Sequence, residues 1–300
     1  MFRHPPLHRI IARLAALVTA LVLLTAAPTL VGAPAQARED TGTSTRTASK
    51  LPVRFGVATL NLKKGMRVAG MRHDIGRVLD GDASVIGFQE RLFSRKALRA
   101  SLPKSWTLLM PHGPTGTDDN PIAFDKDVWK LEKTWSALLT GKTWRRQSGQ
   151  VAHDQYGVVA VLRHRRTGHT IRAVSFHLPN HLHNRRTGGP NYGNLAGVQA
   201  MWRMASRIRD LENGARPAHQ FVAMCDCNVT ENRDLTDDLV KGRITKPLRL
   251  ETNYSGRKGG SGIDYVMAER GSEFRIDSFE MYRRLVTDHP GIVATFRRAR

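Results

Sequence analysis

A single α/β domain is what the sequence predicts, on three observations. Short apolar runs with strand-like patterning dominate from Val53 to Phe296. Stretches of helical spacing interrupt them, most clearly at 71–79 and 192–211. No second linker divides the chain, and no repeat at solenoid periods appears. Three hundred residues are ample for one sizeable core.

The elements follow in order. Residues 53–60 alternate like a strand and run into Asn61, and 71–79 place Met71, Ile75, Val78 and Leu79 on one helical side. The apolar run 85–88 stops at Gln89-Glu90, and 106–110 reads as a strand. Residues 121–124 and 129–135 are expected to form a hairpin about Asp125-Lys126-Asp127. A second hairpin joins 156–162 to 170–176 through the basic turn 163–169, and its second strand ends at His177. Residues 192–211 form the strongest helix, with Val198, Met201, Ala205 and Ile208 on one face and Arg203, Arg207 and Arg209 elsewhere on it. A shorter helix is expected near 235–240, and final strands at 263–268, 274–282 and 291–296.

The stretch 220–228, Gln-Phe-Val-Ala-Met-Cys-Asp-Cys-Asn, is the most informative. Its apolar start reads as a buried strand. Continued as a strand, it sends Asp226 and Asn228 out on one face, because the side-chain period is two. An Asx-type turn at the strand end is the plainer alternative.

The first 37 residues read as a signal peptide rather than as part of the core. Arg3, Arg9 and Arg13 precede an uncharged run, 14–37, that ends Ala35-Gln36-Ala37. The run is long enough to span a membrane, but Pro28, Gly32 and Pro34 break its second half, which favours cleavage over anchoring. No cysteine follows it and no Arg-Arg pair precedes it, so neither a lipoprotein anchor nor twin-arginine export is supported. Residues 38–52 read as a flexible leader and 53–300 as the folded domain. The expected product is a secreted protein with no stable membrane anchor.

Charge narrows the partners. The chain carries +21 formally. Without the first 37 residues, 44 basic side chains face 26 acidic ones, or +18. So basic an exported protein favours polyanions such as nucleic acid, anionic envelope polymers or phosphorylated substrates. Cys225 and Cys227 are the only cysteines. Two apart on an extended strand, their side chains would run parallel, so two small thiols are expected rather than a bridge.

Several strands end on a polar group: Asn61, Glu90, His177, Asp226 with Asn228, Asp264, and Asp288-His289. Ligands gather at strand ends in open α/β sheets, so the joint pattern points to a site. The ordered set Gln89-Glu90, His177-Leu178, Asp226-x-Asn228, Ile263-Asp264-Tyr265 and Asp288-His289 resembles the endonuclease/exonuclease/phosphatase superfamily, over residues 53–296. The resemblance implies a deoxyribonuclease-I-like four-layer α/β sandwich, with two packed mixed β-sheets flanked by helices. It also departs from the pattern, since Cys225 stands for the usual glycine, Cys227 for an aromatic and Gly262 for a basic residue.

By that resemblance the reaction is metal-dependent hydrolysis of a phosphate ester. Glu90 would be the main ligand of Mg²⁺, or of Mn²⁺ or Ca²⁺ in its stead, with Asn61 and Asp288 supporting it. His289 would contact the phosphate and help activate water, oriented by Asp264. Asp226 would position the water, and Asn228 would donate to a phosphate oxygen. His177 would serve the scissile phosphate or the leaving group, with Asp119 as the acid beside it. The run His177-Leu-Pro-Asn-His181-Leu-His183 also suggests zinc, but Pro179 breaks any regular face, and a polar loop at the site rim is favoured.

The superfamily includes nucleases, inositol-phosphate phosphatases and sphingomyelinase-type phospholipases. Basic clusters at 145–146, 163–166 and 185–186 fit either contacts along a phosphate backbone or solvated basic faces, and Trp144 fits either a stacking group or a core side chain at a strand end. With Arg185 as a substrate contact, a nuclease acting on DNA, or also on RNA, is expected, and a monomer. A phosphomonoesterase or phospholipase C is the alternative within the fold. A non-catalytic polyanion-binding protein is the alternative outside that chemistry.

Overall fold

The computed structural model describes residues 54–63, 65–90, 95–113, 119–141, 154–179, 182, 195–215, 219–228, 248–249, 262–269 and 274–298. Two β–α–β units position everything that matters for function. In the first, β1 (Arg54–Asn61) and β2 (Ala83–Gln89) run parallel, joined through helix α1 (Val68–Leu79), with Asn61 beside Gln89. In the second, β7 (Thr170–His177) and β8 (Gln220–Asp226) run parallel, joined through α3 (Leu195–Asn213), with His177 beside Asp226. Parallel neighbours need such crossovers, and the crossovers bring both strands of a pair to an end at the same level.

Two six-stranded sheets grow outward from these pairs. The first has the order β11 (Phe274–Tyr282), β12 (Gly291–Arg298), β1, β2, β4 (Ile122–Asp125), β3 (Trp106–Leu109). The second has the order β5 (Trp129–Thr140), β6 (Gln155–His164), β7, β8, β10 (Asp264–Glu269), β9 (Leu248–Arg249). Among the described residues, the remaining strand pairings are antiparallel.

Period-two alternation divides the strands' side chains between layers. Val57, Val85, Ile171, Val222 and Met224 bury between the sheets. Ala58, Leu60 and Ile86 face outward against Met71, Ile75 and Val78 of α1. Phe221, Ala223 and Cys225 face outward against Val198, Met201 and Ile208 of α3. The result is the expected α/β/β/α sandwich. Gly87 lets the sheets close, since a Cβ there would sit 2.7 Å from Met224 Cβ and 2.9 Å from Ser175 Oγ.

The structure corrects three expectations. Residues 121–124 and 129–135 are not a hairpin, because β4 pairs within the first sheet and β5 within the second. An apolar run on each side of a turn fits either arrangement. Here Phe124 and Trp129 both bury between the sheets, and Trp129 Nε1 reaches across to donate to Ser84 Oγ at 3.0 Å. A short helix, α2 (Arg95–Ser101), was not expected, as seven residues are too few to display a period.

Cys225 and Cys227 form a disulfide, not two thiols. The strand ends at Asp226, so Cys227 no longer follows the pleat, and the two Cα atoms lie 5.3 Å apart, within bridging range. The segments expected to be a signal peptide and a leader, and the expected helix at 235–240, lie outside the described residues.

Candidate active site

The alternation that sends Val222 and Met224 between the sheets sends Asp226 there too. The same parity applies to Asn61 after Val57, Gln89 after Val85, His177 after Ile171, and Asp264 before Val266. Four of these end the four parallel strands, and the fifth opens the neighbour of β8, where Asp264 stands directly across from Asp226. Polar groups thus converge from both sheets at one end of the sandwich.

Asp226 is the hub. It is 1% exposed, and its Oδ2 accepts from Asn61 Nδ2 at 2.8 Å across the gap between sheets. The same oxygen lies 3.3 Å from His177 Nε2 and 3.9 Å from His289 Nδ1. Its Oδ1 accepts the Asn228 backbone N–H at 3.0 Å, which is the Asx turn. Asn228 therefore does not leave on the strand face. It turns back at φ 50°, and its Nδ2 lies 2.8 Å from His177 Nε2 and donates to Leu178 O at 2.9 Å. Turn and site are the same object.

His289 Nδ1 lies 2.9 Å and 3.1 Å from the two oxygens of Asp264. Glu90 follows β2 at φ 54°, a left-handed conformation that strains a residue with a side chain. Beneath it, Gln89 joins the sheets: its Oε1 accepts from Thr59 Oγ1 at 3.0 Å and its Nε2 donates to Ser175 Oγ at 3.2 Å. Asp288 is exposed beside His289, and Asp119 is half-buried just ahead of β4. Arg185, His181, His183, Trp144 and the arginines at 145–146 lie outside the described residues.

The two carboxylates facing each other are driven apart in acidity. Burial pushes Asp226 up, but the charge and hydrogen bond of His177, the charge of His289 and the Asn228 N–H outweigh it, so Asp226 is lowered. Burial and the charge of Asp226 raise Asp264 to about 6, against the pull of His289 and His177. Burial pulls His289 down, yet its hydrogen bond to Asp264 and the charges of Asp264, Asp226 and Glu90 raise it to about 9. His177 is raised as well, as the charge and hydrogen bond of Asp226 overcome burial.

Stability should follow. A raised histidine stabilises fully below its ordinary value of 6.5 and loses that contribution as pH rises through about 9. Without metal, the gap in thermal midpoint between the wild type and His289→Ala should therefore shrink as pH rises from 6.5 through about 9. A gap that widens over that range would contradict the assignment.

The donor set suits a hard cation. Glu90, His177 and Asp226 offer ligand atoms within 4.8 Å of one another, as do Asp226, Asp264 and His289. Asn61 Oδ1 is buried with no hydrogen-bond partner among the described residues. A buried orphan carbonyl beside carboxylates is what an oxygen-seeking cation takes up.

No protein-family model matches the sequence, and no curated protein matches it either. Solved structures do. An endonuclease/exonuclease/phosphatase protein from Bacteroides vulgatus, 17% identical, aligns with a TM-score of 0.60 over 82% of this chain and 100% of its own. The chain has the endonuclease/exonuclease/phosphatase fold. Mannosyl-6-phosphatase Bt3783 from Bacteroides thetaiotaomicron shares this fold, at 14% identity and a TM-score of 0.58 over 81% of this chain and 99% of that one. So does D. rerio TDP2 complexed with single strand DNA product, at 12% identity and 0.54 over 81% and 98%. In this chain the Cys225–Cys227 disulfide brackets Asp226.

Sequence reasoning missed Asp74. It is fully buried in α1, and its two oxygens accept the backbone N–H groups of Val286 and Thr287, each at 2.8 Å. The signal was present: Asp74 sits on the apolar stripe formed by Met71, Ile75 and Val78.

Proposed function

We propose that the protein is a secreted, monomeric, divalent-metal-dependent phosphodiesterase, a nuclease acting on DNA. The observation that carries the hydrolase reading is the convergence on Asp226 of two histidines, an amide from the opposite sheet and a second carboxylate, at the strand ends of a fold shared with a mannosyl-6-phosphatase and with a protein solved in complex with single-strand DNA product. The charge of +18 that remains without the first 37 residues, 44 basic against 26 acidic side chains, favours a polyanion over a small sugar phosphate. The Cys225–Cys227 disulfide supports export to an oxidising compartment. Among the described residues, no helix is long and apolar enough to cross a membrane.

Glu90 and the orphan Oδ1 of Asn61 would hold Mg²⁺ or Mn²⁺, with Asp288 at the rim. When bound, such an ion supplies charge to offset the phosphate and lowers the pKa of water. The chain's own groups do the rest. Asp226, held ionised by its donors, accepts a hydrogen bond from the attacking water, aims the water oxygen at phosphorus and takes its proton as the O–P bond forms. His289, held as imidazolium by Asp264, donates to a phosphate oxygen. His177, when protonated, offers its Nε2 proton to the departing oxygen. Asn228 then has an amide hydrogen to give a phosphate oxygen, because a protonated His177 no longer accepts it.

Supercoiled plasmid incubated with the purified protein and Mg²⁺ or Mn²⁺ should be nicked, and EDTA should stop the reaction. Intact DNA alongside cleavage of a phosphomonoester or sphingomyelin would replace the nuclease reading with phosphatase or phospholipase C. No cleavage of any ester, with salt-dependent DNA binding, would leave a polyanion-binding protein.

Glu90→Gly separates stability from activity. Glycine relieves the positive φ, worth on the order of 1 kcal/mol. Denaturant midpoints should hold or rise while metal-dependent hydrolysis falls to background.

A further inference from the structure

We propose that Asp74 is a positioning residue for His289. Its carboxylate, buried on α1, takes the backbone N–H groups of Val286 and Thr287 and thereby sets where the loop before β12 delivers the imidazole. His289 itself is two residues beyond, in an irregular segment between β11 and β12, so no ladder hydrogen bond fixes it. Both Asp74 bonds are 2.8 Å and both oxygens are used, one per N–H, which fixes two successive peptide planes.

The clamp reaches the hub by a second route. Thr287 Oγ1 donates to Asn61 O at 2.9 Å, and Asn61 Nδ2 donates to Asp226 Oδ2 at 2.8 Å. Helix α1, the His289 loop, the end of β1 and the end of β8 are thus joined by consecutive buried hydrogen bonds. A carboxylate on the apolar stripe of a helix loses solvation, and burying it is worthwhile only where donors meet it. Here the donors belong to the loop that bears a reacting group. His73 Nδ1 also lies 2.9 Å from Asp74 Oδ1.

Asp74 touches neither substrate nor metal in this account, so its effect must pass through His289. Asparagine at position 74 has one acceptor, so one of the two N–H groups is left facing an amide donor. With the hydrolytic activity proposed above as readout, Asp74→Asn should lower kcat by about 10- to 100-fold and move KM by less than about threefold. The deciding measurement is the cycle with His289→Ala. In that background Asp74→Asn should change kcat by less than about twofold, because the group it positions is gone. Losses that multiply would overturn the inference.

Should Asp74→Asn fail to fold, Asp74→Glu repeats the cycle, since it keeps both acceptors and displaces them by a methylene. Amide exchange in the wild type tests the clamp without substrate. The Val286 and Thr287 amides should exchange at least about 100-fold more slowly than free peptide. Free-peptide rates there would overturn it. A wild type that hydrolyses nothing yet shows this protection would sink the proposed function and leave the clamp standing.

Discussion

His289→Ala should lower kcat on the order of 10³-fold, the usual span for one acid–base group, with KM changed far less. The side chain is held by both oxygens of Asp264 and stays cationic to about 9, so at neutral pH it is a donor poised beside the hub rather than a free base. What it supplies is charge and a hydrogen bond where negative charge grows on phosphate, and those count most in the transition state. His289→Gln retains a donor without the charge and should recover part of the loss. Steady-state kinetics on plasmid or a synthetic phosphodiester checks both variants. Equal activity in His289→Ala and the wild type would remove His289 from the chemistry.

Asp226→Asn should do comparable damage, about 10²- to 10⁴-fold in kcat, for a different reason. Asp226 accepts from Asn61, from the Asn228 backbone and from His177, so an amide there must turn an N–H toward at least one donor. The substitution also removes the negative charge that helps raise both histidines, so the pKa values of His177 and His289 should fall together. Ring-nitrogen titration by NMR reads that shift directly. An unchanged His177 titration would mean that the 3.3 Å contact does not govern it. The two substitutions touch one network, so their combined loss should be smaller than the product of the single losses.

Much of the site was legible because strand periodicity and strand ends can be read locally. The apolar run Phe221-Val-Ala-Met224 announces a buried strand that ends at Asp226, and the structure buries both of its faces. His177 and Glu90 stand out as polar groups where apolar runs stop. The pairing of Asp264 with His289 came from the family resemblance, and the structure brings those two side chains into contact at 2.9 Å. The hairpin expected at 121–135 failed because turn residues specify a reversal but not which sheet receives the next strand. The disulfide was missed because the argument against it assumed that the strand continues to Asn228, whereas the Asx turn at Asp226 ends it and draws the two Cα atoms together.

By itself the sequence determined most of the strands, two of the helices and the candidate acids, amides and histidines, since these depend on spacing along one chain. Tertiary structure alone decided that Asn61 reaches Asp226 from the other sheet across 165 positions of sequence, and that Asp74 holds the His289 loop across 212 and 213. Both are contacts between groups that no local period relates. They form only when the two sheets close face to face and the free energy of burying their apolar faces brings the polar ends together.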